Sequence, residues 1–294
     1  MADKTSLRVT VDIFSGRENP TLELRGRDAK VATSLLKPTK RKKREKIPPI
    51  SHLGYRGLIV EQTTSRGKVS KTMRILNGSL ITPTRGIRLV GNDFEDFICG
   101  STGPIRRIKF KKNFQKFVWR ELIKYREWVI EWPYWKHIPK CKPCKCAPIY
   151  EPNWWNDGYG GQKQPNNNCY NYATNYRTDT FAQPGKASGS MYTSLTCGAV
   201  RPAAIRDDLI DKPSANNKCP TEGHLVALVV GPGWDYHWYR KDENGCWSHK
   251  PGGTPVTNLD NSGNKIHDPR TADRGSYTDF CTFMIVKHGH IKIR

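Results

Sequence analysis

The segment of residues 166–173, NNNCYNYA, contains the residue best suited to chemistry, a cysteine preceded by three asparagines. Asparagine is a favoured helix N-cap, so the pattern predicts a helix that begins at about Cys169 and runs to about Tyr176. A thiol at a helix N-terminus lies near the positive end of the helix dipole, which favours the thiolate. The backbone N–H groups there can also stabilise an oxyanion. A buried structural cysteine fits the same position equally well.

A thiolate nucleophile needs a general base, and two histidines follow Cys169 on strands that are predicted to be neighbours. His224 begins the apolar run HLVALVV. His237 follows the turn of residues 231–234, at the start of the next strand. A nucleophile, a base and a polar group that orients the base form the plan of a catalytic triad. For each histidine taken alone, the alternative is a structural residue.

Three short motifs resemble those of a known family in their order and spacing. They are Asn168-Cys169, residues 223–228 (GHLVAL) and Tyr236-His237. Over about a quarter of the chain, this pattern is similar to the NlpC/P60-type cysteine peptidases and amidases of the papain-like class. The resemblance implies a helix that packs on a small antiparallel sheet. It also implies Cys169 as the nucleophile, His224 as the base and His237 as the orienting residue. Asp235 and His249 are the alternatives to His237 for the orienting role.

The cysteines bear on the redox environment of the protein. Their number, nine, is odd, and the chain begins without an apolar stretch of signal-peptide type. We therefore predict mainly free thiols in a reducing compartment. Cys141, Cys144 and Cys146 follow His137 closely, and these residue types can hold zinc. A structural metal and free or redox-paired thiols both fit this spacing. We favour the thiols and predict neither a metal nor another cofactor.

Charge divides the chain into two unlike halves. Of the total of +22, residues 1–150 contribute 33 Lys and Arg against 13 Asp and Glu, and residues 151–294 contribute 16 against 14. A field of this size attracts polyanions. The densest basic run supplies the predicted polyanion-binding residues, which are Lys40, Arg41, Lys42, Lys43 and Arg44. The predicted partner of the first half is an acidic protein surface or polymer, or nucleic acid.

Hydrophobic periodicity predicts an α+β fold in both halves. Residues 1–110 are expected to form a small basic anchoring domain in which residues 37–49 are a solvated basic loop. Apolar residues at steps of three and four predict a helix over 113–132, inside a Cys- and Pro-rich connector of residues 111–150. That helix is either an amphipathic bridge between domains or a membrane-surface or partner-binding helix. Residues 151–294 are expected to form the NlpC/P60-like domain.

These features predict a thiol-dependent amide hydrolase or transferase, a thiol protease in the broad sense, which its basic first half anchors to an acidic partner. The alternative is a catalytically inactive structural or binding protein that docks on an acidic polymer, either a cytoskeletal filament or nucleic acid. The expected location is intracellular, in the cytoplasm or cytoskeleton or in the nucleus. The longest apolar run, residues 225–230, is far shorter than the roughly 20 residues of a membrane span.

Overall fold

The computed structural model describes residues 6–38, 40–41, 50–64, 68–83, 86–111, 113–131, 141–158 and 161–294. The chain divides into two compact units. The first comprises Met1–Ile13, Asn19–Pro48 and Tyr55–Glu131, and the second comprises Phe14–Glu18, Pro49–Gly54 and Trp132–Arg294. Both units combine helices with antiparallel sheets, which confirms the predicted mixture of α and β structure. The last segment of the first unit ends at Glu131, whereas the sequence predicted domain boundaries at residues 110 and 150.

The sheet of the first unit contains seven strands of the described chain, in the order β2-β1-β4-β5-β6-β7-β3. The strands are β1 (Ser6–Val11), β2 (Thr21–Leu24), β3 (Lys40–Arg41), β4 (Leu58–Thr63), β5 (Val69–Leu76), β6 (Ser79–Thr82) and β7 (Gly86–Leu89). Asn77 and Gly78 both have positive φ between β5 and β6. This pair is the preferred sequence of a two-residue hairpin turn, which explains the reversal of the chain at this point.

The helices of the first unit are α1 (Gly26–Leu35), α2 (Asp93–Cys99), the 3-10 turn η1 (Pro104–Arg107) and α3 (Phe114–Glu131). The predicted helix over 113–132 is confirmed as α3. Phe114, Val118, Leu122 and Tyr125 are buried along one face of it, so this stripe belongs to the core of the first unit rather than to a connector. No helix in the described ranges combines the length and the apolar character of a membrane span.

The sheet of the second unit contains five strands of the described chain, in the order β11-β10-β9-β12-β8. The strands are β8 (Ile210–Asp211), β9 (His224–Gly231), β10 (Asp235–Lys241), β11 (Trp247–His249) and β12 (Asp279–Val286). The helices are α4 (Pro152–Trp155), α5 (Lys163–Asn166), α6 (Cys169–Thr174), α7 (Cys197–Arg206) and the 3-10 turn η2 (Pro213–Ala215). The predicted strand that begins at His224 and the predicted strand over 235–241 are both confirmed.

Strand β9 is buried along its whole length, because both faces of the sheet are covered. Val226, Leu228 and Val230 pack in a cluster with Cys169 of α6. The alternate residues of β9 pack in a second cluster that includes Trp247, Tyr277 and Phe283. This continuous apolar strand fixes the position of its neighbour β10, on which the site residues lie.

Candidate functional site

Asn168 caps the short helix α6 as the sequence predicts. Its side-chain oxygen accepts hydrogen bonds from the backbone N–H groups of Tyr170 (3.0 Å) and Asn171 (3.1 Å). In return, the Asn171 side-chain oxygen accepts a bond from the Asn168 N–H (3.2 Å). This reciprocal capping box fixes the start of the helix at Cys169. Helix α6 packs on β10, the strand that carries His237.

The Cys169 thiol is fully buried at the start of that helix. The Ser15 hydroxyl and the Trp238 backbone hydrogen-bond it. Burial raises the pKa of the thiol well above its usual range, and the negative charge of Asp235 raises it further. The structure therefore departs from the expected thiolate. The cost of removing a negative sulfur from water outweighs the favourable position at the helix N-terminus.

His224 lies apart from His237, which separates two members of the predicted triad. His237 is opposite Val229 in the pairing of β9 and β10. His224 is five residues from Val229 on the same strand, roughly 17 Å away. A hairpin aligns residues by their distance from the turn, so a residue at the start of β9 cannot face one near the start of β10.

His224 has a structural role of its own. Its Nε2–H donates to the carbonyl oxygen of Ala173 near the end of α6 (2.7 Å). Burial lowers the pKa of the imidazole to about 3, so the ring is neutral near pH 7. His224 is therefore a hydrogen-bonded core residue, which is the alternative that the sequence left open.

His237 instead belongs to a chain of hydrogen bonds that crosses to the next strand. Its Nε2 lies 2.8 Å from Nδ1 of His249. The His249 Nε2 lies 3.0 Å from the carbonyl oxygen of Leu259. Because a carbonyl only accepts, His249 must donate to Leu259, and the neutral ring then accepts from the Nε2–H of His237. The remaining nitrogen of His237, Nδ1, accepts the hydroxyl proton of Ser15.

The Ser15 side chain also lies close to the Cys169 sulfur and favours its charged form. Ser15 donates to His237, His237 donates to His249, and this chain ends at a backbone carbonyl. The side chains of Ser15, His237 and His249 are all buried, which is typical of a polar network that specifies structure. The predicted base, His224, does not belong to this chain of hydrogen bonds.

The backbone carbonyl of Gly16, the residue after Ser15, accepts three hydrogen bonds. The donors are the Asn168 side-chain amide (2.9 Å), the Gln183 side-chain amide (2.8 Å) and the Tyr236 hydroxyl (2.8 Å). All three donor residues are buried. The donors come from separate parts of the second unit, so they fix the position of this carbonyl from several directions.

The Asp235 carboxylate binds the backbone N–H groups of the same segment. Its carboxylate accepts from Ser15 (2.5 Å), Gly16 (3.3 Å) and Arg17 (3.3 Å), and also from the Tyr277 hydroxyl (2.5 Å). Burial nevertheless raises the pKa of Asp235 to about 6, because desolvation opposes the charge more strongly than these donors favour it.

Ser15 escaped the sequence analysis, whereas Asp235 and His249 were considered only as alternatives to His237. A signal for His249 existed, since it is opposite Tyr239 in the β10–β11 pairing and therefore on the same face of the sheet as His237. Ser15 gave no signal, because 222 residues separate it from His237.

Six of the nine cysteines form disulfides, so the expectation of mainly free thiols is wrong. The pairs are Cys141–Cys246, Cys144–Cys219 and Cys197–Cys281. The free cysteines are Cys99 and Cys169, which are buried, and Cys146, which is exposed. Sequence spacing suggested that neighbouring cysteines act together, whereas the fold pairs Cys141 and Cys144 with distant partners and leaves Cys146 free.

The disulfides also divide the residues considered for a metal. Cys141 and Cys144 form disulfides with different partners, and Cys146 is free. His137 lies outside the described residues. His267 Nδ1 lies 3.2 Å from Cys141 Sγ, and its ring forms a possible three-ligand group with Cys141 and Cys246. The disulfide between those cysteines uses the two thiolates that a metal would need.

The predicted polyanion-binding run is only partly within the described chain. Lys40 and Arg41 form β3, which pairs with β7, whereas Lys42, Lys43 and Arg44 lie outside the described residues. A second basic surface follows η1 and the start of α3. Its exposed residues are Arg106, Arg107, Lys109, Lys111 and Lys116. Arg106, Lys111 and Lys116 line a shallow cavity of about 340 Å³ there.

Comparison with known proteins identifies a relative. The chain is 52% identical over 137 residues to insoluble matrix shell protein 1 of Ruditapes philippinarum. The match covers 46% of this chain and 87% of the relative. No family model matches the chain, and no solved structure matches it.

This match overturns two expectations. The relative is named as a structural protein of a matrix, which conflicts with the predicted assignment as a hydrolase and thiol protease. A shell matrix lies outside cells, so the predicted intracellular location is also wrong. The three disulfides agree with this correction, because disulfides persist in oxidising compartments.

Proposed function

Since the chain belongs to the family of insoluble matrix shell protein 1, we propose that it is a structural component of an insoluble extracellular matrix. The observation that carries the proposal is the 52% identity over 87% of the relative's length. The alternative that the sequence left open, an inactive structural or binding protein on an acidic polymer, is the closest of the earlier expectations to this role.

The covalent structure of the second unit supports a durable structural role. Its three disulfides join residues that are 105, 75 and 84 positions apart. Loss of one native disulfide typically costs about 2–5 kcal/mol, since long loops lose much freedom when they are closed. A protein held in this way resists unfolding outside the cell, where chaperones do not rescue it.

We further propose that the second unit uses an NlpC/P60-like arrangement as a scaffold without hydrolysis. A cysteine at the start of a helix that packs on an antiparallel sheet supports the likeness. The full burial of the Cys169 thiol and the separation of His224 from His237 support the absence of turnover. A nucleophilic thiolate needs direct access to both a base and a substrate.

The proposed partner is an acidic polymer of the matrix, bound by residues 1–150. The excess of 33 basic over 13 acidic residues supports this choice. The exposed basic residues along η1 and α3 extend the candidate contact beyond the run of Lys40, Arg41, Lys42, Lys43 and Arg44. Such contacts recognise charge density rather than sequence, so they suit a repetitive polymer.

The location of the protein tests the structural role. We expect that an antibody against this chain detects it in the insoluble extracellular fraction of its source tissue. A denaturant with a thiol reductant should release more protein than either agent alone, because the disulfides hold the second unit together. Recovery in the soluble intracellular fraction would contradict the proposal.

Salt-dependent binding tests the partner. The full-length oxidised protein should bind carboxylated cellulose beads more tightly than unmodified cellulose, and the preference should fall steeply with added salt. Neutralising the run of residues 40–44, or Arg106, Lys109, Lys111 and Lys116 together, should weaken binding severalfold. The matched control neutralises four exposed basic residues of the second half: Lys186, Lys212, Lys218 and Arg294. Equal loss in the control would contradict a binding surface in the first half.

A further inference from the structure

We propose that residues 14–18 are a built-in peptide ligand that closes a cleft beside Cys169, and that this cleft binds a bent peptide segment with glycine at the position of Gly16. The inference goes beyond the matrix role and does not depend on it. It assigns a binding site to the second unit and names the chemistry of its occupant.

The position of the segment in the fold is the first observation. Residues up to Ile13 and residues 19–48 belong to the first compact unit, whereas Phe14–Glu18 belong to the second. The five residues form none of the strands or helices of the second unit, and the chain bends at residues 15–17. They therefore occupy that unit as a short bent segment whose contacts can be treated as those of a ligand.

Recognition of the backbone is the second observation. The Gly16 carbonyl accepts from Asn168, Gln183 and Tyr236, and the N–H groups of Ser15, Gly16 and Arg17 all point to Asp235. Main-chain hydrogen bonds of this kind supply the affinity in many peptide-binding sites. Here both the acceptor and the donors of one short segment are satisfied by buried side chains.

Selectivity for glycine is the third observation. A Cβ atom on Gly16 would lie 2.5 Å from Cε2 of the Tyr236 ring and 2.5 Å from the Tyr236 carbonyl oxygen. One of these atoms belongs to the backbone of β10, so it cannot move aside cheaply. The close approach requires a residue without a side chain, as at other sites where two backbones meet.

Side-chain contacts fix the direction of the segment. The Phe14 ring packs against Trp234 with ring centroids 6.2 Å apart. The Arg17 guanidinium donates to the Trp234 carbonyl (3.3 Å) and lies 5.0 Å from the Phe14 ring centroid. The occupant is thus an aromatic residue, a serine, a glycine and a basic residue in that order. The Gly16 carbonyl contacts Asn168, the chain neighbour of Cys169, and Tyr236, which packs in the same cluster as the thiol.

Thiol labelling tests the proposal in the full-length oxidised protein with Cys146→Ser, which leaves Cys99 and Cys169 as the free thiols. Neither should react with iodoacetamide at pH 8 over hours. Gly16→Ala should raise the labelling rate of Cys169 at least tenfold without labelling of Cys99. The matched control is Gly198→Ala, because a Cβ there meets no atom within 4 Å.

Addition of a peptide then tests the cleft itself. A nine-residue peptide with the sequence of residues 12–20 should restore protection of Cys169 in the Gly16→Ala protein. The same peptide with alanine in place of its glycine should not. The double variant Phe14→Ala with Arg17→Ala loosens the segment by another route and should also show labelling that the peptide suppresses.

Three results would overturn the proposal. Cys169 could stay protected in both variants, which would show that the segment does not shield it. Cys99 and Cys169 could label together, which would make residues 14–18 part of a common core. The peptide could fail to protect an exposed Cys169, which would show that the cleft does not recognise this segment.

Discussion

Replacement of Asp12 by asparagine is expected to lower the free energy of unfolding of the first unit by about 3–5 kcal/mol. The Asp12 carboxylate is buried with two guanidinium groups. It accepts from Arg56 (2.7 Å) and Arg74 (2.6 Å), and all three side chains are at most 3% exposed. An amide carries no charge, so the substitution leaves two buried cations without their counter-ion.

The pH dependence of this cluster has a definite sign. Burial opposes the charge of Asp12, but Arg56 and Arg74 more than offset it and hold the pKa of the carboxyl below its usual 3.8. Because the folded-state pKa is lower than the unfolded one, the contribution to stability is complete above pH 3.8. It is lost as the pH falls below that value.

Urea titration with a local probe measures the effect. Cys99 is buried in the first unit, so its labelling rate in urea reports on unfolding of that unit. The matched control is Glu23→Gln, which removes the partner of Arg25 in an exposed pair and should cost less than about 1 kcal/mol. A loss of similar size in both variants would contradict the assignment of the buried cluster as a main source of stability.

The second large effect concerns acid and His224. Burial lowers the pKa of this histidine to about 3, below its ordinary value of 6.5. The unfolded chain therefore takes up a proton between these pH values while the folded chain does not, and stability falls as the pH drops from 6.5 toward 3. The difference between the two pKa values corresponds to a loss of about 5 kcal/mol in the free energy of unfolding once the pH has fallen to 3. Asp235, whose pKa is raised to about 6, works in the opposite direction between pH 6 and 3.8.

The variant His224→Gln isolates this contribution. A glutamine amide can still donate toward the Ala173 carbonyl but does not titrate, so the variant should lose less stability than the native protein between pH 6.5 and pH 4. The measurement is urea unfolding across this range, followed by the fluorescence of the buried tryptophans Trp155, Trp238 and Trp247. The control His290→Gln removes an exposed imidazole and should leave the pH profile unchanged. Parallel profiles for the native protein and His224→Gln would disprove the interpretation.

Local patterns in the sequence predicted much of the secondary structure. The apolar run from His224 and the alternation over residues 235–241 gave strands β9 and β10, and the asparagine before Cys169 gave the cap of α6. These features depend on neighbours within a few residues. Hydrophobic periodicity and capping chemistry determine them without knowledge of the rest of the fold.

The site itself depended on contacts that no local pattern records. Ser15 reaches His237 across 222 positions and begins a buried hydrogen-bond chain that runs through His249 to the carbonyl of Leu259. The assignment of His224 failed for another reason. Adjacent strands were predicted correctly, but the register that follows from the hairpin turn was not applied, and this register separates His224 from His237.

The pattern of disulfides also determines how the chain responds to pulling. The shortest covalent path from Cys141 to Cys281 first follows the backbone for three residues to Cys144 and passes through the disulfide to Cys219. It then follows the backbone back for 22 residues to Cys197 and passes through the second disulfide to Cys281. It contains 25 backbone steps, whereas the linear chain has 140. The 140 residues before Cys141 contain Cys99 alone, so no internal cross-link limits them, and they extend to about 480 Å. Under tension the chain before Cys141 is therefore the extensible part of the molecule. The disulfide-linked part between Cys141 and Cys281 extends very little.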